Sequence, residues 1–249
     1  MNDNLGKVLV VGAGLAGSEA AMYLAKRGVE VVLVENKTLQ RNPSQKLNDF
    51  AELVCTNSLK SKEPSSGHGV LKYEMNGLGS LVLESGYEAQ VPAGDALAVD
   101  REKFSSIITK KLKGHENITV VEAEVGNPLE MMKDHGCEHV IVATGPLTTE
   151  KLSNWIMSNI GKEDFYFYDA IAPVVDADSL DYSKLYFKDR HKEADESADY
   201  LNAPMNEEQY YAFIDELRNA DKVPAQSFEE YKFFEACLPV DLMAERGVD

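Results

Sequence analysis

The sequence contains few of the residues that build disulfides and metal centres. Among its 249 residues are three cysteines and five histidines. Cys55, Cys137 and Cys237 stand far apart without a metal-ligand spacing, and the histidines are scattered. We therefore expect reduced thiols, as in a cytoplasmic protein, and no metal site.

Long apolar runs are also missing. No run approaches the roughly 20 residues that cross a bilayer, and the chain enters a predicted strand almost at once, without a signal-peptide pattern. A hydrophobic content of 44% and a charged content of 27% are typical of a globular protein. We expect a cytoplasmic location, no membrane partner, and either one large domain or two modest ones.

Positive charge is scarce, because 25 lysines and arginines oppose 42 acidic residues and the formal net charge is −17. Nucleic-acid-binding proteins normally present a basic face. The nearest candidates are Lys60 with Lys62, and the group Lys110, Lys111 and Lys113. We interpret both as solvated surface rather than as an RNA-binding patch.

What the sequence does contain is a dinucleotide-binding pattern near its start. Residues 8–11 are a continuous apolar run, typical of a strand buried in a parallel sheet. Gly12, Gly14 and Gly17 follow with the G-x-G-x-x-G spacing, and residues 18–26 predict a helix. Gly12 would make the tight turn, Gly14 would admit a pyrophosphate, and Gly17 would let helix and strand pack closely.

The residues after this helix support the same interpretation. Residues 30–34 predict a second strand, and Glu35 ends it about 20 residues beyond the glycines, where a carboxylate accepts ribose hydroxyls. An acidic side chain there disfavours a 2′-phosphate, so the ligand should be FAD or NAD rather than NADP. The alternative is a Rossmann-like unit with an empty site.

The predicted fold class is α/β, a Rossmann-type FAD-binding parallel sheet with a smaller mixed α+β insertion. Residues 1–168 form the predicted FAD-binding domain and residues 169–249 the insertion or substrate domain. The pattern predicts a strand over 80–89, a helix over 101–113 capped by Asp100, and strands over 118–121 and 139–145. The last strand is predicted to be buried and ends in Thr144-Gly145, which should lie over the glycine loop.

Two of the cysteines lie in apolar surroundings. Cys55 precedes Thr56, Asn57 and Ser58, which are predicted to start a helix whose dipole would stabilise a thiolate. A buried structural cysteine is the alternative. Cys237 lies just before a proline. Further along, aromatic residues of the helix predicted over 205–219 should be core rather than a base-stacking platform.

Eight segments in order resemble the folate- and FAD-dependent tRNA (uracil-5-)-methyltransferases of the TrmFO family: GAGLAGSEAA, FAELVCTNSL, VLKYEM, VPAGDALAVDR, ATGPLT, YFYDAIAPVV, YLNAPM and FFEACLPVDLMAERG. The resemblance covers essentially the whole chain. It implies that methylenetetrahydrofolate gives a one-carbon unit to reduced FAD, which passes it to uracil C5, while NAD(P)H supplies reducing equivalents. The implied partner is tRNA, with rRNA as a variant.

The resemblance also implies roles for individual residues. Cys237 would be the thiolate that adds to uracil C6, and Cys55 would shield the flavin-bound one-carbon unit or help remove the C5 proton. The expected cofactor-binding residues are Gly12, Ala13, Gly14, Leu15, Ala16, Gly17, Glu35, Asn57, Ser58, Thr144 and Gly145.

Some positions depart from the family pattern, namely Gln45, Leu47, Lys60, Asn76-Gly77, the Asn36-Lys37-Thr38 that follows Glu35, and Ala203. The arginine losses among them thin out the RNA-binding charge, and family chains continue well past Asp249. We therefore expect weak or no FAD retention and negligible activity from this chain alone. A degenerate member that binds nucleotide, flavin or RNA without catalysis is the alternative function. A general FAD or NAD oxidoreductase is disfavoured because Cys237 would then have no purpose.

Overall fold

The computed structural model describes residues 6–41, 45–54, 56–145, 148–161, 175–189, 198–221 and 240–247. The chain divides into two compact units, Met1–Phe165 and Tyr166–Asp249. The first unit contains, in chain order, β1 (Val8–Val11), α1 (Leu15–Ala25), β2 (Val31–Glu35), β3 (Ser58–Ser61), α2 (Gly67–Gly77), α3 (Leu81–Glu88), β4 (Gln90–Val91), β5 (Ala96–Val99), α4 (Arg101–Lys113), β6 (Ile118–Glu122), α5 (Pro128–Asp134), β7 (His139–Val142) and α6 (Glu150–Asn159).

A four-stranded sheet with the order β6-β2-β1-β7 forms the centre of this unit. All its pairings are parallel, and Val8 of β1 lies opposite Val31 on one side and His139 on the other. Every residue of β1 is buried, because a central strand of a parallel sheet is covered on both faces. The predicted parallel α/β sheet is confirmed.

Alternate side chains of β1 contribute to separate cores on the two faces of the sheet. Val8 and Val10 pack on one face with Phe104 and Ile108 of α4 and with residues of α1 and α3. On the other face, Leu9 and Val11 belong to a cluster that includes Leu152 of α6. The side chains of a strand point alternately to its two faces, so one apolar run serves both cores.

The segment between β2 and β6 differs most from the sequence prediction. It contains a second, antiparallel sheet with the order β3-β5-β4. Ser58 begins strand β3 rather than a helix, so the helix start predicted at Thr56, Asn57 and Ser58 is wrong. The next helix is α2, whose N-cap Ser66 accepts a hydrogen bond from the amide of Gly69.

Residues 80–89, predicted as a strand, form helix α3 instead. Ser80 caps this helix by accepting the amide of Leu83. The Glu19 carboxylate of α1 accepts from the amides of Leu81 and Val82 as well. A carboxylate at a helix N-terminus satisfies amides that have no partner within the helix. The local sequence pattern predicted a strand because part of the helix cap, the Glu19 carboxylate, belongs to a different helix.

Strand β7 is present as predicted but is not buried as predicted. It pairs with β1 on one side and forms the edge of the parallel sheet. His139 is exposed, and Val142 keeps 40% of its surface accessible. The Asp100 cap of helix α4, in contrast, is confirmed by a 2.9 Å hydrogen bond from the amide of Lys103.

The second unit is mixed in structure. Its described part contains 3-10 turns at Ala177–Ser179 and Tyr182–Lys184, an antiparallel pair of short strands, β8 (Tyr186–Phe187) and β9 (Leu201–Asn202), and helices α7 (Glu207–Asn219) and α8 (Val240–Arg246). On α7, Ile214 is buried, whereas Tyr210 and Phe213 are each 41% exposed. The prediction of a core role for this aromatic face therefore holds for Ile214 and not for the two rings.

Among the described residues, no helix is both long enough and apolar enough to cross a membrane.

Candidate dinucleotide site

The turn after β1 can be made only by glycine. Gly12 has a φ of +98°, a region that side-chain-bearing residues rarely adopt. A Cβ at Gly12 would lie 2.7 Å from the carbonyl oxygen of Ala143 and 2.9 Å from Cα of Thr144. The segment after β7 therefore rests directly on the glycine loop, which is the expected position of Thr144.

Gly17 allows α1 to start against this turn. A Cβ on Gly17 would collide with the carbonyl oxygen of Gly12. The neighbouring Ser18 is fully buried, and its hydroxyl donates a 3.1 Å hydrogen bond to the carbonyl of Ala13. The helix therefore contacts the turn at Gly17 and Ser18.

Gly14 is different, because the space beside it is open. No heavy atom lies within 4 Å of the position that its Cβ would occupy. Gly14 is the N-cap residue of α1, so no capping side chain accepts a hydrogen bond from the first amides of the helix. The first amides of a helix carry partial positive charge and bind anions. Open space at such a helix end is what a pyrophosphate requires.

Glu35 lies at the end of β2, next to this loop. One oxygen of its carboxylate, Oε2, accepts a 2.7 Å hydrogen bond from the amide of Ala13. The other, Oε1, accepts the amides of Asn36 and Lys37 at 2.9 and 3.0 Å. Backbone donors therefore fix the carboxylate beside the glycine loop, where a ribose would meet it.

A buried ion pair between Lys37 and Glu52 lies near the glycine loop. The sequence alone did not predict it. Nζ of Lys37 lies 3.1 Å from Oε2 of Glu52, and the two side chains are only 3% and 6% exposed. In the sequence, Lys37 counts among the departures from the family pattern that reduce the positive charge available to RNA. In the structure the side chain of Lys37 is buried. The only signal in the sequence is an acidic residue, Glu52, inside an otherwise apolar stretch.

The remaining predicted cofactor residues occupy two places. Thr144 Oγ1 is hydrogen-bonded to Thr148 Oγ1 at 2.6 Å, and Thr148 also donates to the carbonyl of Gly145. Ser58 begins β3 of the antiparallel sheet, and Asn57 directly precedes it. The side-chain amide of Asn57 donates to the carbonyl of Val99 of β5 at 3.2 Å. Leu15 and Ala16 form the first turn of α1.

The candidate catalytic thiols, Cys55 and Cys237, lie outside the described residues. Cys137 is described and is buried, with 7% of its surface exposed, in the core on one face of the parallel sheet. Burial raises the pKa of its thiol, and the nearby charge of Lys7 acts weakly in the opposite direction. Within the described part of the chain, no three His, Cys, Asp or Glu side chains converge as a metal site would require.

A parallel sheet with a glycine turn between β1 and α1, an open helix N-terminus and an acid at the end of β2 defines a Rossmann-type dinucleotide-binding protein. The family model described as Glucose inhibited division protein A matches residues 7–249. The chain belongs to this family.

Relatives with high sequence identity carry a more specific name. The chain is 48% identical over 240 residues to "Methylenetetrahydrofolate--tRNA-(uracil-5-)-methyltransferase TrmFO" of Staphylococcus saprophyticus subsp. saprophyticus, and the match covers 96% of this chain and 53% of that protein. The protein of the same name from Staphylococcus aureus strain N315 gives the same identity and coverage. The chain thus spans about half the length of these relatives.

A solved structure is more distantly similar. It is the GidA-related protein from Thermus thermophilus, with 23% identity, coverage of 49% of this chain and 40% of that chain, and a TM-score of 0.28.

Proposed function

We propose that this chain provides the FAD-binding part of a folate-dependent tRNA (uracil-5-)-methyltransferase. The observation that carries the proposal is the glycine loop, which combines open space at Gly14 with a fixed acceptor at Glu35. The 48% identity to proteins named TrmFO supports this reaction over others carried out by Rossmann-type proteins. A chain that binds nucleotide without methyl transfer is not favoured over this function.

The residues of the loop fit a dinucleotide. The amides at the start of α1, from Leu15 to Gly17, would hold the pyrophosphate, with Gly14 leaving room for it. Glu35 would accept ribose hydroxyls, and its negative charge would repel a 2′-phosphate. Family membership supports FAD as the ligand. When bound, FAD supplies the redox chemistry of the one-carbon transfer.

The proposed chemistry of the chain itself is carried by its thiols. Uracil C5 is a weak nucleophile, and addition of the Cys237 thiolate to C6 would make C5 enolate-like. Cys55 is the proposed partner that shields the reacting group or takes the C5 proton. The sulfur–C6 bond would break again when that proton leaves, restoring both the thiolate and the uracil double bond.

Several partners belong to this proposal. The RNA substrate is tRNA, with rRNA as the variant, and the co-substrates are methylenetetrahydrofolate and NAD(P)H. The net charge of −17 means that RNA binding would depend on local contacts rather than on a general positive field. A cytoplasmic location remains a prediction from the sequence.

Two measurements test the proposal. The first is titration with FAD. Weak binding is expected from the purified chain and saturable binding from the chain joined to the C-terminal part of the Staphylococcus saprophyticus relative, and absence of binding in both would reject the cofactor assignment. The second is 5-methyluridine formation on an unmodified tRNA transcript with methylenetetrahydrofolate, FAD and NADPH. It compares the chain alone with the chain joined to the C-terminal part of the Staphylococcus saprophyticus relative. Product that persists in Cys237→Ala would contradict the proposed nucleophile.

A further inference from the structure

The ion pair between Lys37 and Glu52 differs from every other ion pair in the described part of the chain. Its side chains are 3% and 6% exposed, whereas each of the others leaves both partners at least 25% exposed. Burying two charges is costly unless their remaining hydrogen-bonding groups are also satisfied. The hydrogen-bond partners of the Lys37 ammonium and the Glu52 carboxylate therefore indicate the structural role of the pair.

Both partners bind the backbone of the segment 45–52. Nζ of Lys37 donates a 2.7 Å hydrogen bond to the carbonyl of Asp49. The second carboxylate oxygen of Glu52, Oε1, accepts the amides of Lys46 and Leu47 at 2.7 and 3.1 Å. The pair thus ties three backbone points of this segment to the end of β2.

The same segment is attached to the glycine loop. The amide of Ala51 donates a 2.8 Å hydrogen bond to the carbonyl of Ala13, while the amide of Ala13 donates to Glu35. Ala51 is 1% exposed and has a φ of +50°. A left-handed conformation is unfavourable for alanine and persists only when surrounding contacts hold it.

These contacts form a closed path around the candidate site. It leads from Ala13 to Glu35, from the backbone of Glu35 to Lys37, across the ion pair to Glu52, and through Ala51 back to Ala13. Both polar groups of the Ala13 backbone are therefore held by this path. Ala13 lies between the two glycines that shape the loop, so its position determines where a pyrophosphate and a ribose could bind.

We propose that Lys37 is a positioning residue for dinucleotide binding, which acts through Glu52 and the segment 45–52 without touching the ligand. This inference rests on the proposed dinucleotide function. A preorganised loop binds more tightly because less ordering is needed when the ligand arrives. Loss of the pair would release the backbone at Lys46, Leu47 and Asp49 and so loosen the segment that holds Ala51 against Ala13. The sheet, α1 and the hydrogen bond from the amide of Phe50 to Thr109 would remain in place.

The test is the FAD affinity of a series of variants. Lys37→Met should weaken binding by roughly tenfold or more, the scale seen when a group supporting a binding residue is lost. Lys37→Arg keeps the charge and several donors, so its affinity should stay within about threefold of the wild type. Lys7→Met is the matched control, because Lys7 pairs with Glu30 at 3.9 Å on the surface; its affinity should not change.

The double variant Lys37→Met with Glu52→Met separates positioning from stability. Apolar side chains of similar size often replace a buried ion pair without loss of stability, but methionine cannot hold Asp49, Lys46 or Leu47. We expect a folded protein by circular dichroism with the same weakened affinity as Lys37→Met. Wild-type affinity in this folded variant would overturn the inference while leaving the proposed function intact.

Hydrogen exchange of the wild-type protein provides a test that needs no variant. Saturating FAD should slow exchange of the Lys46, Leu47 and Ala51 amides, because ligand binding at Ala13 stabilises the closed path. Unchanged exchange at these amides, in a protein that binds FAD, would overturn the inference. Failure of the wild type to bind FAD, both alone and joined to the C-terminal part of the Staphylococcus saprophyticus relative, would instead reject the proposed function, and the inference with it.

Discussion

The amide of Ala13 donates a 2.7 Å hydrogen bond to the carboxylate of Glu35, which joins the glycine loop to the end of the neighbouring strand. The contact links residues that the sequence interpretation treats as separate parts of a ligand site. Since Glu35 also accepts two amides of its own segment, its carboxylate is oriented before any ligand binds. Orientation of this kind lowers the entropic cost of binding.

The first prediction concerns Glu35→Ala. This change removes the acceptor for a ribose and frees the amide of Ala13, so FAD affinity should fall by roughly 10-fold to 100-fold, as for hydrogen bonds to a charged group. Isothermal titration calorimetry measures the FAD affinity of the variant and the wild type. Glu122→Ala is the control, because Glu122 lies opposite Glu35 at the end of β6. Equal losses in both variants would contradict a specific role for Glu35.

The second prediction contrasts two glycines of the same loop. Gly14→Val should fold normally, because its φ of −70° suits valine and the space around it is open, yet the branched side chain should abolish FAD binding. Gly17→Ala should instead destabilise the fold by about 1–3 kcal/mol, since its methyl group overpacks against backbone. Urea unfolding and FAD titration distinguish them. Retained affinity in Gly14→Val would remove the basis of the proposed site.

The third prediction concerns thiol reactivity. Because burial raises the pKa of Cys137, little thiolate is present near neutral pH, and the thiolate is the reactive form. Iodoacetamide should label Cys137 in the native protein far more slowly than Cys55 and Cys237. Unfolding in urea is the control, and it should equalise the three rates. Fastest native labelling at Cys137 would argue against a reactive role for the other two thiols.

The fourth prediction concerns Lys72 of α2, which is 8% exposed. Its Nζ donates to the carbonyl of His68 at 3.4 Å, and none of the ion pairs of the described residues involves it. Burial lowers the pKa of Lys72 below its ordinary value of 10.5. In the window between the lowered pKa and 10.5, the unfolded chain binds more protons than the folded chain, so stability rises with pH.

Lys72→Met should remove this rise and stabilise the protein at neutral pH, because a buried unpaired charge is lost. Urea unfolding of both proteins from about pH 7 to about pH 10 measures the difference, which should shrink as pH increases. Lys110→Met, at an exposed position of α4, should show no comparable dependence. A wild-type protein that loses stability relative to Lys72→Met as pH rises would contradict the assigned direction.

Helices and strands with strong local signals could be predicted from the sequence. Helix α4 is predicted with its cap because Asp100 and the apolar spacing of Phe104, Ile108 and Leu112 all lie within one short segment. Strands β1 and β2 are predicted because strands covered on both faces need continuous apolar runs. Helix α3 is missed, since the Glu19 carboxylate that completes its cap belongs to α1.

The sequence by itself determined the glycine spacing, the acid at the end of β2 and the apolar runs of the central parallel strands, since turn geometry and apolar periodicity are local properties of the chain. Only the tertiary structure decided which of these groups touch. The Lys37–Glu52 pair and the Ala51–Ala13 hydrogen bond join segments whose proximity depends on how the chain returns over the sheet. A lysine side chain looks the same in the sequence whether it meets water or a buried carboxylate, and packing alone makes that choice.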